Sequence, residues 1–345
     1  MGSHLPAALL LVFLCAPSLA AGMKARLLIV GGGAMTDSWE RDLLSGECSG
    51  LLEAGAFRGM DDCSALAESG AVETPSASVK KIRLSAELKA EVDGFAPDVL
   101  LVSGDEATRR VADLYKDARL PVVFCGLAET PVKYGLVDSA EKPGHNATGV
   151  YRRGYYKEAA AALLKIVPGA RTFGVLADDS EAGRLEVKGI REAAAEAGFP
   201  LALVDAVQTS SFSEFQRKAS SLAGRVDAVL LARHDSLKGD DGKPAARAAV
   251  ARWYLANVKK PDFASDKRSA EEGVLVVAED SAYRQGYAMV KMAYRVIKRG
   301  ERPGGMAAER PARGAIIVNR VRARMLGLDV DNRAEKYLER AVALP

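Results

Sequence analysis

The segment of residues 120–150, LPVVFCGLAETPVKYGLVDSAEKPGHNATGV, constrains the fold of this chain more than any other. Residues 120–124 form a short, apolar and β-branched run with a proline near its start, where a strand tolerates the missing N–H. Gly126 ends this run, a polar loop follows, and a second extended run leads onward. Strand-like and helix-like runs alternate on both sides, so the segment is predicted to connect two α/β halves.

The alternation of strand-like and helix-like runs extends along most of the chain. In the first half, residues 26–30, 79–84 and 98–103 are predicted strands, and residues 86–92 and 107–115 are predicted helices. The strands predicted after residue 150 are 172–177, 201–207, 226–232, 273–278 and 315–319. The helices predicted there are 155–166, 180–197, 212–222, 243–258 and 283–299. This βαβ alternation predicts parallel sheets with helices on both faces.

Four glycines interrupt the helical pattern of residues 39–67. Gly46, Gly50, Gly55 and Gly59 each cost about 1 kcal/mol relative to alanine in a helix interior. Two short helices are therefore predicted here instead of one long helix.

The predicted helix after residue 282 carries a stripe of large side chains. Tyr283, Tyr287, Val290, Tyr294 and Ile297 recur at helical spacing, which places them near one face. Such a stripe is predicted to belong to the core and not to a ligand site.

The composition is that of a globular protein with room for two lobes. The 345 residues are 48% hydrophobic and 27% charged, which is enough for a large core or two smaller ones. The formal net charge of +3 is small, and no block of lysine and arginine interleaves with aromatic residues. Binding to nucleic acid is therefore not predicted.

The amino terminus is predicted to be a signal peptide. Residues 5–16 form an apolar run too short to span a bilayer comfortably, and residues 17–22 are mostly small. We expect cleavage near Ala20 or Ala21. A leucine precedes Cys15, whereas lipid attachment requires a small residue there, so lipidation is not predicted. No later run is long and apolar enough for a transmembrane helix, so the mature protein is expected to be soluble.

The cysteines and histidines predict no metal site. Neither a C-x-x-C motif nor a Cys/His cluster is present, and the three histidines are far apart in sequence. Cys48 and Cys63 lie in a region that would be oxidised outside the cytoplasm. Whether they form a disulfide is left open by the sequence.

Polar loops follow the predicted strands and supply the candidate binding residues. In doubly wound sheets, ligands bind beyond the carboxyl ends of the strands, where such loops lie. The candidates are Met35, Asp37, Ser38, Ser103, Gly104, Asp105, Gly126, Glu129, Asp178, Ser180, Asp235, Ser236 and Asp266. Helix capping is the alternative interpretation for Asp105 and for Asp178, which precedes Ser180.

Two catalytic or cofactor patterns are excluded by their spacing. The glycine-rich turn that begins at Gly31 would need a glycine at position 36 to form a dinucleotide fingerprint, and that residue is Thr36. The run from His234 to Ser236 contains the three residue types of a catalytic triad. Three adjacent residues cannot adopt the triad geometry, and no G-x-S-x-G elbow is present. Neither an enzyme nor a cofactor is predicted.

Three blocks of the central segment point to a family. The patterns P-V-V-F-x-G at residues 121–126, P-V-x-x-G-L-V at 131–137 and P-G-x-N-x-T-G-V at 143–150 keep their mutual spacing. Together they resemble the substrate-binding proteins of ABC transporters, whose characterised members include binders of aromatic amino acids. Weaker similarity continues to Val330, so that about two thirds of the chain is covered.

The resemblance implies a fold and a function. The fold is two Rossmann-like lobes with parallel sheets joined by a hinge, the type I periplasmic binding protein. The implied function is to bind a small molecule between the lobes and deliver it to an ABC permease, without turnover. Family members carry an aspartate after the strand at residues 226–232, so Asp235 is expected to hold a ligand ammonium. The ligand carboxylate would then suit helix-start N–H groups, Ser103 or Ser180.

The domain organisation expected from this resemblance includes a return of the chain to the first lobe, with the strand at 273–278 crossing back. The expected parts are a signal peptide (1–21), lobe 1 (22–148, with return segment 281–314) and lobe 2 (149–280, with C-terminal segment 315–345). The protein is expected to be an exported, periplasmic monomer that binds an amino acid. Two alternatives stay open: a binding protein read by a sensory membrane receptor, and a nucleotide-dependent α/β enzyme.

Overall fold

The computed structural model describes residues 24–31, 37–152, 154–330 and 340–342. The predicted signal peptide and the candidate residue Met35 lie outside these ranges. The strands are β1 (Ala25–Gly31), β2 (Ala71–Glu73), β3 (Ala77–Arg83), β4 (Val99–Ser103), β5 (Val122–Cys125), β6 (Ala147–Gly149), β7 (Thr172–Asp178), β8 (Ala202–Thr209), β9 (Ala228–Leu231), β10 (Asp262–Ala264), β11 (Val276–Ala278), β12 (Ile316–Asn319) and β13 (Arg340–Val342). The helices are α1 (Ser38–Glu53), α2 (Met60–Ser69), α3 (Leu88–Phe95), α4 (Asp105–Tyr115), α5 (Tyr156–Ile166), α6 (Glu181–Ala195), α7 (Phe212–Ala223), α8 (Arg247–Asn257), α9 (Lys267–Glu272), α10 (Ala282–Arg299) and α11 (Arg320–Met325).

The first sheet has the strand order β2-β3-β1-β4-β5-β6 and is parallel except for the pairing of β2 with β3. Its central strand β1 is apolar at nearly every position because both faces of the sheet are covered. Leu27 and Ile29 face the core formed with α1, α2 and α10, whereas Leu28 and Val30 face the core formed with α3 and α4. This alternation follows from the two-residue period of a strand.

The second sheet repeats this architecture with the order β13-β12-β11-β10-β9-β7-β8. Phe173 and Val175 of β7 face the core shared with α5 and α6, and Leu176 faces the core shared with α7 and α8. Only the pairing of β11 with β12 is antiparallel among the described pairs. The chain thus forms two α/β lobes, and the predicted two-lobed, type I periplasmic binding protein fold is confirmed.

Three chain segments connect the lobes and hydrogen-bond to one another. They follow β6, follow β11 and precede β12. Tyr151 donates its backbone N–H to the carbonyl of Glu309 at 2.9 Å, and Glu309 donates to Gly149 at 2.9 Å. Glu279 donates in the same way to Ala315 at 2.9 Å. These bonds bind the three crossings into one hinge.

The predicted strand at 273–278 is β11 of the second sheet, so the crossing itself begins only after it. The chain then enters α10, which packs along α1 and against β4 and β5 of the first sheet. Among the described helices, none combines the length and the apolar character needed to cross a membrane.

Two expectations for the first lobe need correction. Helix α1 spans 16 residues and includes Gly46 and Gly50, so the first of the two predicted helices is not short. Both glycines face α10, and the two helices pack so closely there that a side chain would not fit. Close helix packing, and not a break in the helix, therefore accounts for these glycines. Of the predicted tyrosine stripe, Tyr294 is buried, but Tyr283 is 40% exposed and stacks on Tyr287 at the surface.

The cysteine pair is reduced in the structure. Cys48 on α1 and Cys63 on α2 are buried free thiols that hydrogen-bond to each other. Burial raises the pKa of both thiols above its ordinary value, so both are protonated at neutral pH. The disulfide that the sequence left open is therefore not present.

Candidate functional site

A cavity of about 200 Å³ lies between the two lobes. It is bordered by the segments that follow β4, β5, β6 and β9 and by the first turns of α1 and α9. In the first sheet, β1 and β4 are adjacent, and the chain reaches opposite sides of the sheet from them. This is the switch point at which doubly wound sheets bind ligands. The lining residues are Asp37, Trp39, Glu40, Ser103, Gly104, Asp105, Gly126, Ala128, Arg152, Arg233 and Arg268.

Two glycines shape the first-lobe wall of this cavity. Gly104 and Gly126 have φ angles of +86° and +71°, which side chains other than glycine rarely adopt. The backbone N–H of Gly126 donates to Gln285 Oε1 at 3.0 Å, which ties the end of β5 to α10. The wall therefore exposes backbone at the ends of both strands.

Asp105 holds the loop that forms the rim of the first lobe. Its carboxylate accepts the backbone N–H groups of Ala128 and Glu129, both at 2.9 Å, and the hydroxyl of Tyr134 at 3.0 Å. Helix α4 has no side-chain cap at its start, so the capping alternative for Asp105 is wrong. Asp105 therefore links the start of α4 to the loop after β5 through hydrogen bonds.

Arg152 lies in the hinge and joins both lobes at the cavity. Its Nε donates to Asp280 Oδ2 at 2.7 Å, and its guanidinium lies 5.0 Å from the centre of the Trp39 ring. Asp280 also accepts from Gln285 Nε2 at 2.9 Å. Burial raises the pKa of Asp280 to about 6, although Arg152 opposes the shift. The carboxylate of Asp280 in the hinge and the guanidinium of Arg152 in the cavity therefore form an ion pair.

A cluster of arginines surrounds Asp235 in the second lobe. Its carboxylate contacts Arg233 at 3.0 Å, Arg268 at 3.5 Å and the guanidinium of Arg247. Arg268 also binds Asp266, whose pKa is held well below its usual range because the neighbouring guanidinium outweighs the cost of burial. Asp235 is thus shared among three cations.

His234 is buried beside this cluster and lies next to the carboxylate of Glu272. The ring is 1% exposed, with Nδ1 2.9 Å from the carbonyl oxygen of Ala232 and Nε2 3.1 Å from Glu272 Oε2. Both neighbours are acceptors, which favours the protonated form of the imidazole. Burial lowers the pKa of His234, but Glu272 outweighs burial and the net shift is upward.

This arrangement predicts a pH-dependent stability. The folded-state pKa of His234 lies above the unfolded value near 6.5, so its contribution is fully present below about pH 6.5 and is lost as pH rises through the folded-state pKa. Urea unfolding from pH 6 to 9 is expected to show this fall in the wild type and a flatter profile in His234→Gln. Glu272→Gln should lower the imidazole pKa measured by NMR. An imidazole pKa at or below 6.5 in the wild type would contradict the assignment.

The lobes also touch across the cleft outside the cavity. Lys267 pairs with Asp42 at 2.5 Å, and Ser38 Oγ donates to Glu271 at 3.1 Å. On another side, Lys133 pairs with Glu181 at 2.8 Å. The structure is therefore a closed form in which polar contacts join the rims.

A larger cavity of about 380 Å³ adjoins the first one. Ala128, Arg152 and Arg233 line both cavities. The larger cavity is otherwise bordered by hinge residues, by the start of α5 and by one face of α6, and its aromatic members are Tyr151 and Tyr156. The cleft therefore has a smaller end and a roomier end, and the roomier end carries two tyrosines among charged side chains such as Lys157, Glu186 and Arg310.

The structure brings five of the predicted site residues to the charged cavity. They are Asp37, Ser103, Gly104, Asp105 and Gly126. Seven others lie outside its lining: Ser38, Glu129, Asp178, Ser180, Asp235, Ser236 and Asp266.

Most of these seven have structural partners. Asp178 is fully buried and accepts the backbone N–H of Ser236 at 2.9 Å, which braces the ends of β7 and β9. Ser180 caps α6, Asp266 caps α9, and Glu129 pairs with Lys133. The capping interpretation for Asp178 is wrong, because Ser180 itself caps α6 and Asp178 accepts the hydroxyl of that serine.

Sequence reasoning missed six residues of the charged cavity. They are Trp39, Glu40, Ala128, Arg152, Arg233 and Arg268. Arg233 and Arg268 lie within two positions of the predicted residues Asp235 and Asp266. The prediction therefore chose the correct loops but not the side chains that line the cavity. A search for cations after the second-lobe strands would have found both. Within the described ranges, no group of three or more His, Cys, Asp or Glu residues is arranged to hold a metal ion.

Comparison with known proteins agrees with the fold. A tyrosine-binding protein of Clostridioides difficile (strain R20291) is 26% identical over 202 residues, which are 58% of this chain and 55% of that protein. The chain thus matches about half the length of this curated relative. The crystal structure of the ABC domain from Streptococcus pneumoniae in complex with L-Trp has a TM-score of 0.69 at 19% identity, covering 92% of this chain and all of that one.

A second solved structure supports the same fold. It is the ligand-free, open form of a substrate-binding protein with adhesive properties from Clostridium difficile, with a TM-score of 0.67 at 19% identity, and it covers 93% of this chain and all of that one. The family model described as ABC transporter substrate binding protein matches residues 76–342. This match spans more than half of the chain and includes most of both lobes. The chain therefore belongs to the family of ABC transporter substrate-binding proteins.

Proposed function

We propose that the protein is the exported solute-binding component of an ABC importer and that its ligand is an amino acid. The observation that carries the proposal is the charged cavity between the lobes. It places carboxylates and guanidinium groups around one small space, and a zwitterion is the solute that needs both. A sugar offers neutral hydroxyl groups and carries no charge of its own to match these carboxylates and guanidinium groups.

The size of the cleft supports a single amino acid with a large side chain. The charged cavity, at about 200 Å³, is smaller than the pockets of roughly 300–1,000 Å³ that hold drug-sized ligands. The adjoining cavity of about 380 Å³, with Tyr151 and Tyr156 in its wall, accommodates the side chain. The tyrosine-binding relative and the L-Trp complex make aromatic amino acids the first candidates.

Closure of the lobes provides the link to transport. The cross-lobe contacts of Lys267 with Asp42 and of Lys133 with Glu181 form only when the lobes meet. Ligand binding at the lobe interface favours that state, and a closed monomer presents a different surface to the membrane permease. The protein itself performs no chemistry on the solute.

A thermal-shift screen of the twenty amino acids, with glucose and ribose as controls, tests the proposal. A ligand at 100 times its dissociation constant is expected to raise the stability by about 2.7 kcal/mol. Calorimetry on each hit should give 1:1 binding, and mass spectrometry should find the same compound in freshly purified protein. Binding of a sugar, with no shift for any amino acid, would overturn the proposal.

A further inference from the structure

The guanidinium of Arg152 is anchored at one nitrogen and lines the cavity with the other two. Its Nε donates to Asp280 Oδ2 at 2.7 Å, and within the described ranges neither Nη1 nor Nη2 donates a hydrogen bond to the protein. The backbone bond of Tyr151 to Glu309, at 2.9 Å, fixes the hinge segment that carries this arginine. The two Nη groups hold most of the N–H donors of a guanidinium. The protein therefore leaves most of the donors of this arginine unused.

The other two arginines of the charged cavity are more fully engaged. Arg268 donates to Asp266 from Nε at 3.1 Å and from Nη2 at 2.7 Å, and its Nη1 lies 3.5 Å from Asp235. Arg233 donates to Asp235 from Nη1 at 3.0 Å, so that one corner of its outer edge is occupied. Among the three lining arginines, Arg152 is thus the one that keeps both terminal nitrogens available.

The anchor of Arg152 is itself fixed by both lobes. Asp280 is 4% exposed, and its other oxygen accepts from Gln285 Nε2 at 2.9 Å. Gln285 in turn accepts the backbone N–H of Gly126, at the first-lobe wall of the cavity. The backbone N–H of Asp280 donates to the carbonyl oxygen of Ser265, directly after β10 of the second lobe, at 3.0 Å. The carboxylate that holds the guanidinium therefore has a fixed position between the lobes.

The indole of Trp39 fixes the guanidinium of Arg152 from a second side. The guanidinium carbon lies 5.0 Å from the ring centre, and Trp39 belongs to the first turn of α1 in the first lobe. A planar guanidinium that is bonded at Nε and packed on an aromatic face has little freedom to rotate. Nη1 and Nη2 are therefore presented as a preorganised pair of donors, and a carboxylate is the group that accepts such a pair with both of its oxygens.

The carboxylates around Arg152 keep it charged inside the protein. Burial lowers the pKa of Arg152, but the negative charges of Asp280, Asp266 and Glu186 outweigh burial and hold it above its ordinary value. Two of these carboxylates have other roles, since Asp266 caps α9 and Glu186 accepts the backbone N–H of Arg233 at 3.0 Å. Their charges therefore stabilise the cation without occupying its terminal N–H groups.

We propose that Arg152 binds the carboxylate of the ligand through Nη1 and Nη2, while Asp280 and Trp39 hold the guanidinium in place. This assignment rests on the proposed function, because it takes the ligand to be an amino acid. It differs from the expectation drawn from the family resemblance, in which helix-start N–H groups, Ser103 or Ser180 receive the carboxylate. Because Arg152 lies in a segment that joins the lobes, the carboxylate would be recognised at the hinge.

Calorimetry with an amino acid and the matching amine tests the assignment, because the amine keeps the ammonium group and lacks the carboxylate. The probes are L-tyrosine and tyramine; if tyrosine does not bind, the amino acid with the largest thermal shift and its decarboxylated amine replace them. The wild type is expected to bind the amino acid about 10- to 100-fold more tightly than the amine. In Arg152→Gln, binding of the amino acid should weaken by a similar factor and binding of the amine should change little, so that the preference disappears.

Arg152→Lys provides a second, milder variant. Lysine keeps the positive charge beside Asp280 but lacks the paired donors of a guanidinium, so only part of the preference for the amino acid should remain. Circular dichroism and urea unfolding show whether each variant is folded. If Arg152→Gln does not fold, the preference measured in Arg152→Lys decides the assignment alone.

The outcomes separate this assignment from the proposed function. Arg217→Gln removes an arginine of α7 whose side chain is 76% exposed, and it should change neither affinity. A folded Arg152 variant that keeps the full wild-type preference overturns the assignment while the proposed function stands, and so does a wild type that binds both probes equally well. If the wild type binds no amino acid, the proposed function itself fails, and this assignment falls with it.

Discussion

Replacing Arg322 with methionine is expected to lower the free energy of unfolding by about 3–5 kcal/mol. The arginine is 1% exposed, and its guanidinium donates to Asp262 Oδ2 at 2.7 Å from Nη2. It also donates to the carbonyl oxygens of Leu255 at 2.9 Å and Val258 at 2.7 Å. Methionine fills similar volume but leaves a fully buried carboxylate and two carbonyl groups without these donors.

The pH dependence of this loss identifies its cause. Burial raises the pKa of Asp262 in the wild type, while Arg322 opposes the shift. Without the arginine the carboxyl is expected to become protonated more readily, so the variant should lose less stability at pH 5 than at pH 8. Chemical denaturation at both pH values, followed by circular dichroism, measures the difference.

Two further variants serve as controls. Adding Asp262→Asn to Arg322→Met should recover part of the loss, because asparagine keeps an oxygen for the backbone N–H of Leu275, now 2.7 Å from Asp262 Oδ1. Lys188→Met breaks a 3.8 Å pair with Glu192 between exposed side chains and should change stability little. An Arg322→Met protein as stable as the Lys188→Met protein would show that the buried pair contributes no net stability.

The strands were predictable because their signal is local. The run at residues 98–103 became β4 (Val99–Ser103), and the run at 226–232 became β9 (Ala228–Leu231). Both are buried on two faces, so a continuous apolar run flanked by polar residues is sufficient evidence. The carboxyl-end rule for α/β sheets then predicts that Ser103 and Gly126 lie at the binding site, and both line the charged cavity.

The buried ions were not predictable in the same way. Arg322 lies in a run of basic residues, a pattern that is typical of an exposed helix. Its buried partner Asp262 is 60 positions away in the sequence. The roles of Arg233 and Arg268 in the cavity depend likewise on which carboxylate holds each guanidinium. Such pairings depend on how the lobes pack, and hydrophobic periodicity carries no information about them. The same reason explains why Asp235 looked like a free anion in the sequence and lies among arginines in the structure.

Replacing Gly46 with alanine is expected to destabilise the first lobe by about 3 kcal/mol, the upper end of the usual cost of overpacking. A Cβ atom at this position would lie 1.9 Å from the carbonyl oxygen of Tyr283 in α10. At Gly286 of α10, the same atom would lie 2.4 Å from the carbonyl oxygen of Leu43 in α1. The obstacles are backbone atoms on both helices, so rotation of a side chain cannot relieve the clash and the helices must separate. Separation would open the core formed by Leu43, Met289 and their neighbours.

Gly189→Ala provides the matched control, because nothing lies within 4 Å of a Cβ atom at that position in α6. Alanine there should stabilise the protein by about 0.5–1 kcal/mol through its higher helix propensity. Glycine-to-alanine substitution is thus expected to lower stability in α1 and to raise it in α6. The effect of Gly50→Ala should fall between those of the other two variants, since its obstacle is the side chain of Val290 at 2.8 Å. Thermal and urea unfolding of the three variants measure this order. A Gly46→Ala protein that is more stable than the wild type would mean that α1 and α10 do not pack at this distance, and that the glycines of α1 mark a break in the helix after all.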